Sequence, residues 1–435
     1  MSMATVDQTS DLAPADLAKR ITTPAAYANP DDIHDALRWL RANNPVAKVE
    51  APGFTPFWIV TKQADILEIE RQADIFHNGD LSTVLLPAEM DAAVRRMMDG
   101  SPHLTRSMVN MDGDEHRLYR TLTQAWFMPG RIKKLEDRIR GIARAHIDRM
   151  FSRDGQCDFT ADVALHYPLH VVMEILGVPE EDEPRMLMLT QQLFGARDPD
   201  LARSAEAVAS PDAMAQMFKT VIGDFNTYFK ALTESRRADP RDDVATVIAN
   251  AIIDGRPISD HEALSYYILI ATAGHDTTSA STAGAIWALA TRPDQLALVR
   301  ENPALIPGLV DEAIRWVTPV KHFMRAATQD YEIRGKTIKA GDWVMLSYIS
   351  ANRDAEIFET PFEFRVDRPS NKHVAFGYGA HVCLGQHLAK LEMRILFEEL
   401  LPRLAEVRLA GETKWTQSSF ISGPKRLPIT FKAAA

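Results

Sequence analysis

The sequence predicts a mainly α protein with small β-sheets, built around one long central helix. Three observations carry this expectation. Helical periodicity dominates the chain, strand-like segments are few and short, and residues 259–292 form one long helical pattern that is apolar on most sides.

Residues 1–15 read as a flexible N-terminal tail. Residues 16–435 read as a single domain, because no linker, repeat or low-complexity tract divides them. Amphipathic helices are expected in DIHDALRWLRA, PGRIKKLEDRIRGIARAHIDRMF, MAQMFKTVIGDFNTYFKALTESRRA, PDQLALVREN and PALIPGLVDEAIRWV. FWIVTK reads as a strand, and DYEIRGKTIKAGDWVMLSYIS as paired strands broken at Gly335 and Gly341. The central helix opens at Ser259 with Glu262 spaced as a capping box and stops before Pro293. Its roughly 30 residues span about 45 Å at 1.5 Å per residue, enough to cross the molecule. Its middle nevertheless carries AGHDTTS, and an acid and two threonines in a buried helix need a reason.

The chain has 435 residues, of which 46% are hydrophobic, ample for a large core. A net charge of −10 argues against a general nucleic-acid binder. No apolar signal-peptide run opens the chain, and no stretch approaches the ~20 apolar residues that cross a bilayer. A cytoplasmic protein without membrane contact is the expectation. Two cysteines, Cys157 and Cys383, make no disulfide framework. Cys157 reads as an inert, partly buried thiol.

Cys383 sits in HVAFGYGAHVCLGQHLAKLEM. It reads as a buried thiol, a zinc ligand with His373, His381 and His387, a nucleophile, or a thiolate ligand to haem iron. The surroundings favour the last. Gly377 and Gly379 let the loop turn tightly and pass close to a flat cofactor. Such a loop can aim backbone N–H groups at the sulfur, and the helix that follows favours a thiolate at its start. Gly385 has no side chain, so that helix can lie against a ring system.

FGYGAHVCLG resembles the haem-binding signature of the cytochromes P-450, the haem-thiolate monooxygenases, through Phe376, Gly377, Gly379, Cys383 and Gly385. The resemblance implies that family's fold, with a long central helix over one haem b held by Cys383 as axial iron ligand. It extends over nearly the whole chain and is closest from about residue 259 onward, to the bacterial α-terpineol monooxygenases and their relatives. AGHDTT resembles the family's dioxygen-activating motif, with Asp276 and Thr277 as the catalytic acid–alcohol pair. Physically, a threonine inside a helix competes for the carbonyl four residues back, here that of Ala273, and loosens the helix. Ala273 and Gly274 leave room for a diatomic ligand. A hydroxyl and a carboxyl linked by water can deliver protons.

Glu312 and Arg315 in DEAIR share a helix face and match the family's Glu-x-x-Arg element, with Arg368 as third partner in a structural role. His116 and Arg120 in DEHRLYR, together with Arg325 and His381, fit the positions that bind the two haem propionates, as guanidinium suits carboxylates. The substrate pocket is expected to be walled by Leu269, Thr272, Ala273, Val320, Phe323, Phe420 and Ile421, with His322 placed to orient a hydroxyl. Met-rich segments around 81–111 and 185–220 fall where the family has access loops.

These resemblances imply hydroxylation of a small hydrophobic substrate, a monoterpenoid or aromatic hydrocarbon, by dioxygen. Electrons would come from an iron–sulfur ferredoxin and its NAD(P)H-dependent flavoprotein reductase, docking over Cys383 near Arg117, Lys372, Lys390 and Arg394. A monomer is expected. The alternatives are a peroxide-driven or non-redox haem-thiolate enzyme, or a haem-binding sensor or carrier.

Overall fold

The computed structural model describes residues 11–194, 198, 200 and 210–434. Strands β1 (Val46–Val49) and β2 (Phe57–Val60) form an antiparallel pair that starts a five-stranded sheet. Helix α1 (Gln63–Arg71) follows β2, and the short β3 (Phe76–His77) forms the far edge of the same sheet. The middle is filled much later in the chain by β4 (His322–Ala327) and β5 (Trp343–Ser347), giving the order β1-β2-β5-β4-β3. β5 runs parallel to β2 and antiparallel to β4. The expected strand pair around Gly335 is a separate two-stranded hairpin, Tyr331–Ile333 with Lys336–Ile338.

The helices that position the site are α2 (Gly113–Gln124), α3 (His166–Leu176), α4 (Pro211–Ala238), α5 (Asp260–Ala273), α6 (Asp276–Thr291), α7 (Ile306–Val317) and α8 (Gln386–Leu400). One apolar cluster joins them through Tyr167, Tyr267, Ile286, Leu309 and Leu396, among others. α7 packs on both α6 and α8. No helix among the described residues is long and apolar enough to cross a membrane.

Two expectations need correction. The central helix is not continuous: it divides into α5 and α6 at Gly274–His275. The Ser259–Glu262 capping box forms as expected. At the break, Thr277 Oγ1 donates to the Ala273 carbonyl at 2.9 Å and Thr278 Oγ1 to the Gly274 carbonyl at 3.2 Å. Two hydroxyls thus compete for the carbonyls that an unbroken helix would use. The tail was drawn to residue 15, and residues 1–10 lie outside the described residues. Asp11 and Ala13, however, are tied by backbone hydrogen bonds to Lys48, and a helix begins at Ala15. Part of the Met-rich stretch 185–220 also lies outside the described residues.

Candidate active site

Cys383 lies two residues before the N-cap of α8, at the end of a loop that begins beside Phe376. Gly377 and Gly379 both take positive φ, 68° and 69°. At Gly379 a Cβ would stand 2.4 Å from the Glu70 carbonyl oxygen, so the turn admits no side chain. The Cys383 N–H closes the loop on the Phe376 carbonyl at 2.8 Å. Burial pushes the thiol up, whereas hydrogen bonds from the backbone N–H groups of Gly385 and Gln386 and the charge of Arg120 favour the thiolate. Cys157 has no such donors, and burial pushes it up to about 12.

The Cys383 side chain opens into an internal cavity of about 240 Å³. Gly385 lines this cavity, and a Cβ there would meet no protein atom within 4 Å. Its bare backbone keeps the surface beside the sulfur flat. His116, Arg120, Arg325 and His381 also line the cavity. The two imidazoles lie 4.0 Å apart, and Arg120 Nη2 donates to the Val382 carbonyl at 2.7 Å. Burial, then Arg120, pushes His116 down. Burial, then Arg325, His116 and Arg120, pushes His381 down to about 2. His116 Nε2 is buried with no hydrogen-bond partner among the described residues. Two guanidiniums and an orphaned imidazole nitrogen beside a thiol suit a flat, metal-bearing ligand that carries its own carboxylates. The residues therefore fit a haem.

The break in the central helix also borders the cavity. Leu269, Ala273, Gly274 and Thr277 line it, with Val320 and Phe323 from the segment around β4. Gly274 has a packing role as well, since a Cβ there would meet Val172 Cγ2 at 2.8 Å. The other expected wall residues stand elsewhere. Thr272 is buried and donates to the Ile268 carbonyl at 2.7 Å. Ile421 lines a separate cavity of about 70 Å³, and Phe420 packs edge-on against Phe323, with ring centres 5.6 Å apart. His322 does not line the main cavity either. Leu85 N–H donates to its Nε2 at 3.1 Å, so its Nδ1–H donates to the Ser419 carbonyl at 3.0 Å, and the ring bridges two loops. Met108, from the Met-rich stretch 81–111, lines the cavity, and Val109, Phe127, Val172 and Ile175 supply further apolar wall.

Asp276 faces the smaller cavity, while Thr277 lines both, so the hydroxyl stands between the carboxyl and the main cavity. Asp276 Oδ2 has no hydrogen-bond partner among the described residues, and Oδ1 lies 3.1 Å from Nδ1 of the buried His275.

Beneath the Cys383 loop, Glu312 and Arg315 are fully buried and joined by two 2.7 Å hydrogen bonds. Arg368 Nε reaches Glu312 at 3.1 Å, and Asn371 Nδ2 and the Arg365 N–H add further donors. Arg315 also donates to the carbonyls of Asn352, Pro361 and Glu363. Burial opposes the Glu312 charge, but the hydrogen bonds from Arg315 and Arg368 outweigh it and hold the carboxyl below its usual range. Such saturation makes a buried ion pair tolerable. On the outer face, Arg117 pairs with Asp114, Lys390 with Asp311, and Arg394 with Glu136 and Glu398.

Sequence reasoning missed two buried acids. Glu392 lines the cavity, and burial holds it well above the usual carboxylate range. Glu70 hydrogen-bonds Arg325 and Tyr348. Each carried a signal: Glu392 continues the buried stripe of Leu388 and Leu396, and Glu70 that of Ile66, all at four-residue spacing.

The geometry defines a haem-thiolate site, and the chain belongs to the cytochrome P450 family, whose model matches residues 86–416. It is a monooxygenase of that family, with protoporphyrin IX iron as its cofactor. Among its relatives is cytochrome P450-terp of Pseudomonas sp, 49% identical over 421 residues, 97% of this chain and 98% of that one. A methyl-branched lipid omega-hydroxylase of Mycobacterium tuberculosis (strain ATCC 25618 / H37Rv) is 32% identical over 93% of this chain and 92% of its own length. Among solved structures, CYP108D1 from Novosphingobium aromaticivorans DSM12444 superposes with a TM-score of 0.90 at 46% identity, covering 97% of this chain and all of that one. Mycobacterium marinum cytochrome P450 CYP268A2, in complex with pseudoionone, gives 0.83 at 28% identity, covering 99% of each chain.

Proposed function

We propose that the protein hydroxylates a small hydrophobic substrate, a monoterpenoid or aromatic hydrocarbon, with electrons delivered by an iron–sulfur ferredoxin and its flavoprotein reductase. One observation carries the reading: the apolar side chains of Leu269, Ala273, Val320 and Phe323 line the same cavity as Cys383, with Thr277 at the gap in the helix. A pocket of this kind selects shape, and the reaction falls on the carbon it holds nearest the metal. Similarity to cytochrome P450-terp, and the pseudoionone bound by the Mycobacterium marinum relative, support a terpenoid class.

When bound, the haem would supply the binding and activation of dioxygen. Cys383 would ligate its iron and donate electron density to it, with the Gly385 and Gln386 N–H groups favouring the thiolate. His116, Arg120, Arg325 and His381 would hold the propionates. Thr277 passes a proton towards the cavity from its hydroxyl, and Asp276 replenishes it from the polar side. The apolar residues exclude water and orient the substrate. The ferredoxin docks over the Cys383 loop, chiefly against Lys372, because Arg117, Lys390 and Arg394 are engaged in ion pairs. A cytoplasmic monomer belongs to the same reading.

The test is a titration of the purified holoprotein with monoterpenes and substituted benzenes, followed by the spectral change on displacement of the iron's water ligand. Binding ligands should then be turned over with ferredoxin, reductase and NAD(P)H. No response to any apolar ligand, or turnover with peroxide alone, would overturn the reading.

A further inference from the structure

Arg325 stands at the end of the cavity where His116, Arg120 and His381 converge, and a buried carboxylate reaches it from outside that group. Glu70, on α1, is buried, and its Oε1 accepts from Arg325 Nη2 at 3.2 Å and from Tyr348 Oη at 2.6 Å. The Tyr378 N–H also hydrogen-bonds this carboxyl, and Oε2 has no hydrogen-bond partner among the described residues. Burial and the adjacent Glu70 keep Tyr348 protonated, so the phenol is a donor here. Burial pushes Glu70 up as well, against Arg325, Tyr348 and the Tyr378 N–H.

The same residue touches the Cys383 loop with both side chain and backbone. A Cβ on Gly377 would lie 3.4 Å from Glu70 Oε1, and one on Gly379 2.4 Å from the Glu70 carbonyl oxygen. The phenol and the backbone N–H would be served as well by a neutral oxygen. Arg325 is the only one of the three donors that calls for a charge. Arg325 Nη1 is spent on the Met324 carbonyl at 3.0 Å, so Glu70 and that carbonyl together fix the plane of the guanidinium.

We infer that Glu70 is a positioning residue, which orients Arg325 towards a haem propionate, braces the Gly377–Gly379 turn of the Cys383 loop, and through its charge lowers the reduction potential of the iron. This rests on the reading of Cys383 as iron ligand and Arg325 as propionate partner. A fixed negative charge in a poorly solvated region disfavours adding an electron nearby, so removing it favours the reduced state.

The experiment compares the holoprotein with Glu70→Gln and Tyr348→Phe by spectroelectrochemical titration. The carbon-monoxide difference spectrum of each variant reports separately whether Cys383 still ligates the iron, so a failed site is distinguishable from a failed inference. With thiolate ligation intact, Glu70→Gln should raise the potential, and Tyr348→Phe, which removes a neutral donor, should raise it less. Haem transfer to apomyoglobin should be faster from Glu70→Gln than from the parent. An unchanged potential in Glu70→Gln, or equal shifts in the two variants, overturns the inference. Should the glutamine variant fail to take up haem, Glu70→Asp serves: drawing the charge back by one methylene should shift the potential upward, and no shift overturns the inference.

Discussion

Around Cys383, the eleven residues 376–386 supply the sulfur, the turns and the N–H donors within one continuous stretch. Elsewhere in the cavity lining, Met108, Phe127, Val172, Leu269, Val320 and Phe323 come from segments spread over more than two hundred positions and contribute apolar side chains. The first is fixed by backbone hydrogen bonds and by a turn at Gly379 that admits no side chain. The second is a shape. Chemistry that depends on one atom must be fixed by local backbone geometry, whereas shape can be assembled from any side chains of suitable size.

This contrast is broken most directly at its strongest point. Cys383→Ser should abolish turnover and the thiolate-type carbon-monoxide difference spectrum, because an alcohol does not ligate the iron as a thiolate does. Next comes the support beneath the loop. Glu312→Gln leaves Arg315 and Arg368 buried without their counter-charge, and denaturant unfolding should show a loss of about 3–5 kcal/mol. The pH dependence has a definite sign. Because the folded-state value of Glu312 is depressed, its contribution is present above the unfolded carboxylate value and is lost as pH falls through the folded one. The variant should lack that part of the acid transition.

At the junction of the two walls, Thr277→Ala should lower product formation by about 10²-fold, the lower end of what a positioned proton donor contributes. Dioxygen consumption should fall less, so the ratio of product to dioxygen is the measurement. The shape-selecting wall should respond most gently. Phe323→Ala removes a lining ring and should weaken substrate binding by about 1–2 kcal/mol, or ~5- to 30-fold. Phe420→Ala, one ring further back, should change affinity by less than about threefold. Spectral titration of both variants sharpens the comparison, and equal effects would erase it.

The Cys383 loop was legible because glycines at fixed offsets from one cysteine have few other uses, and the acid–alcohol pair because polar residues inside an apolar helix are costly. The basic residues at 116, 120, 325 and 381 were legible only as positions. That they converge depends on β4 lying beside β3 and on the contact between the α2 and Cys383 loops.

Thus the sequence by itself determined the helical class, the glycine-flanked loop that carries Cys383, the capping box at Ser259 and the weak point at Ala273–Thr277, since each rests on interactions within about ten residues. Tertiary structure alone decided that His322 bridges two loops instead of facing substrate, that Thr272 and Ile421 turn away from the main cavity, and that Glu70 reaches Arg325 across 255 positions. The physical reason is that burial and partner choice for these side chains are set by how distant segments pack, and local periodicity carries no record of that packing.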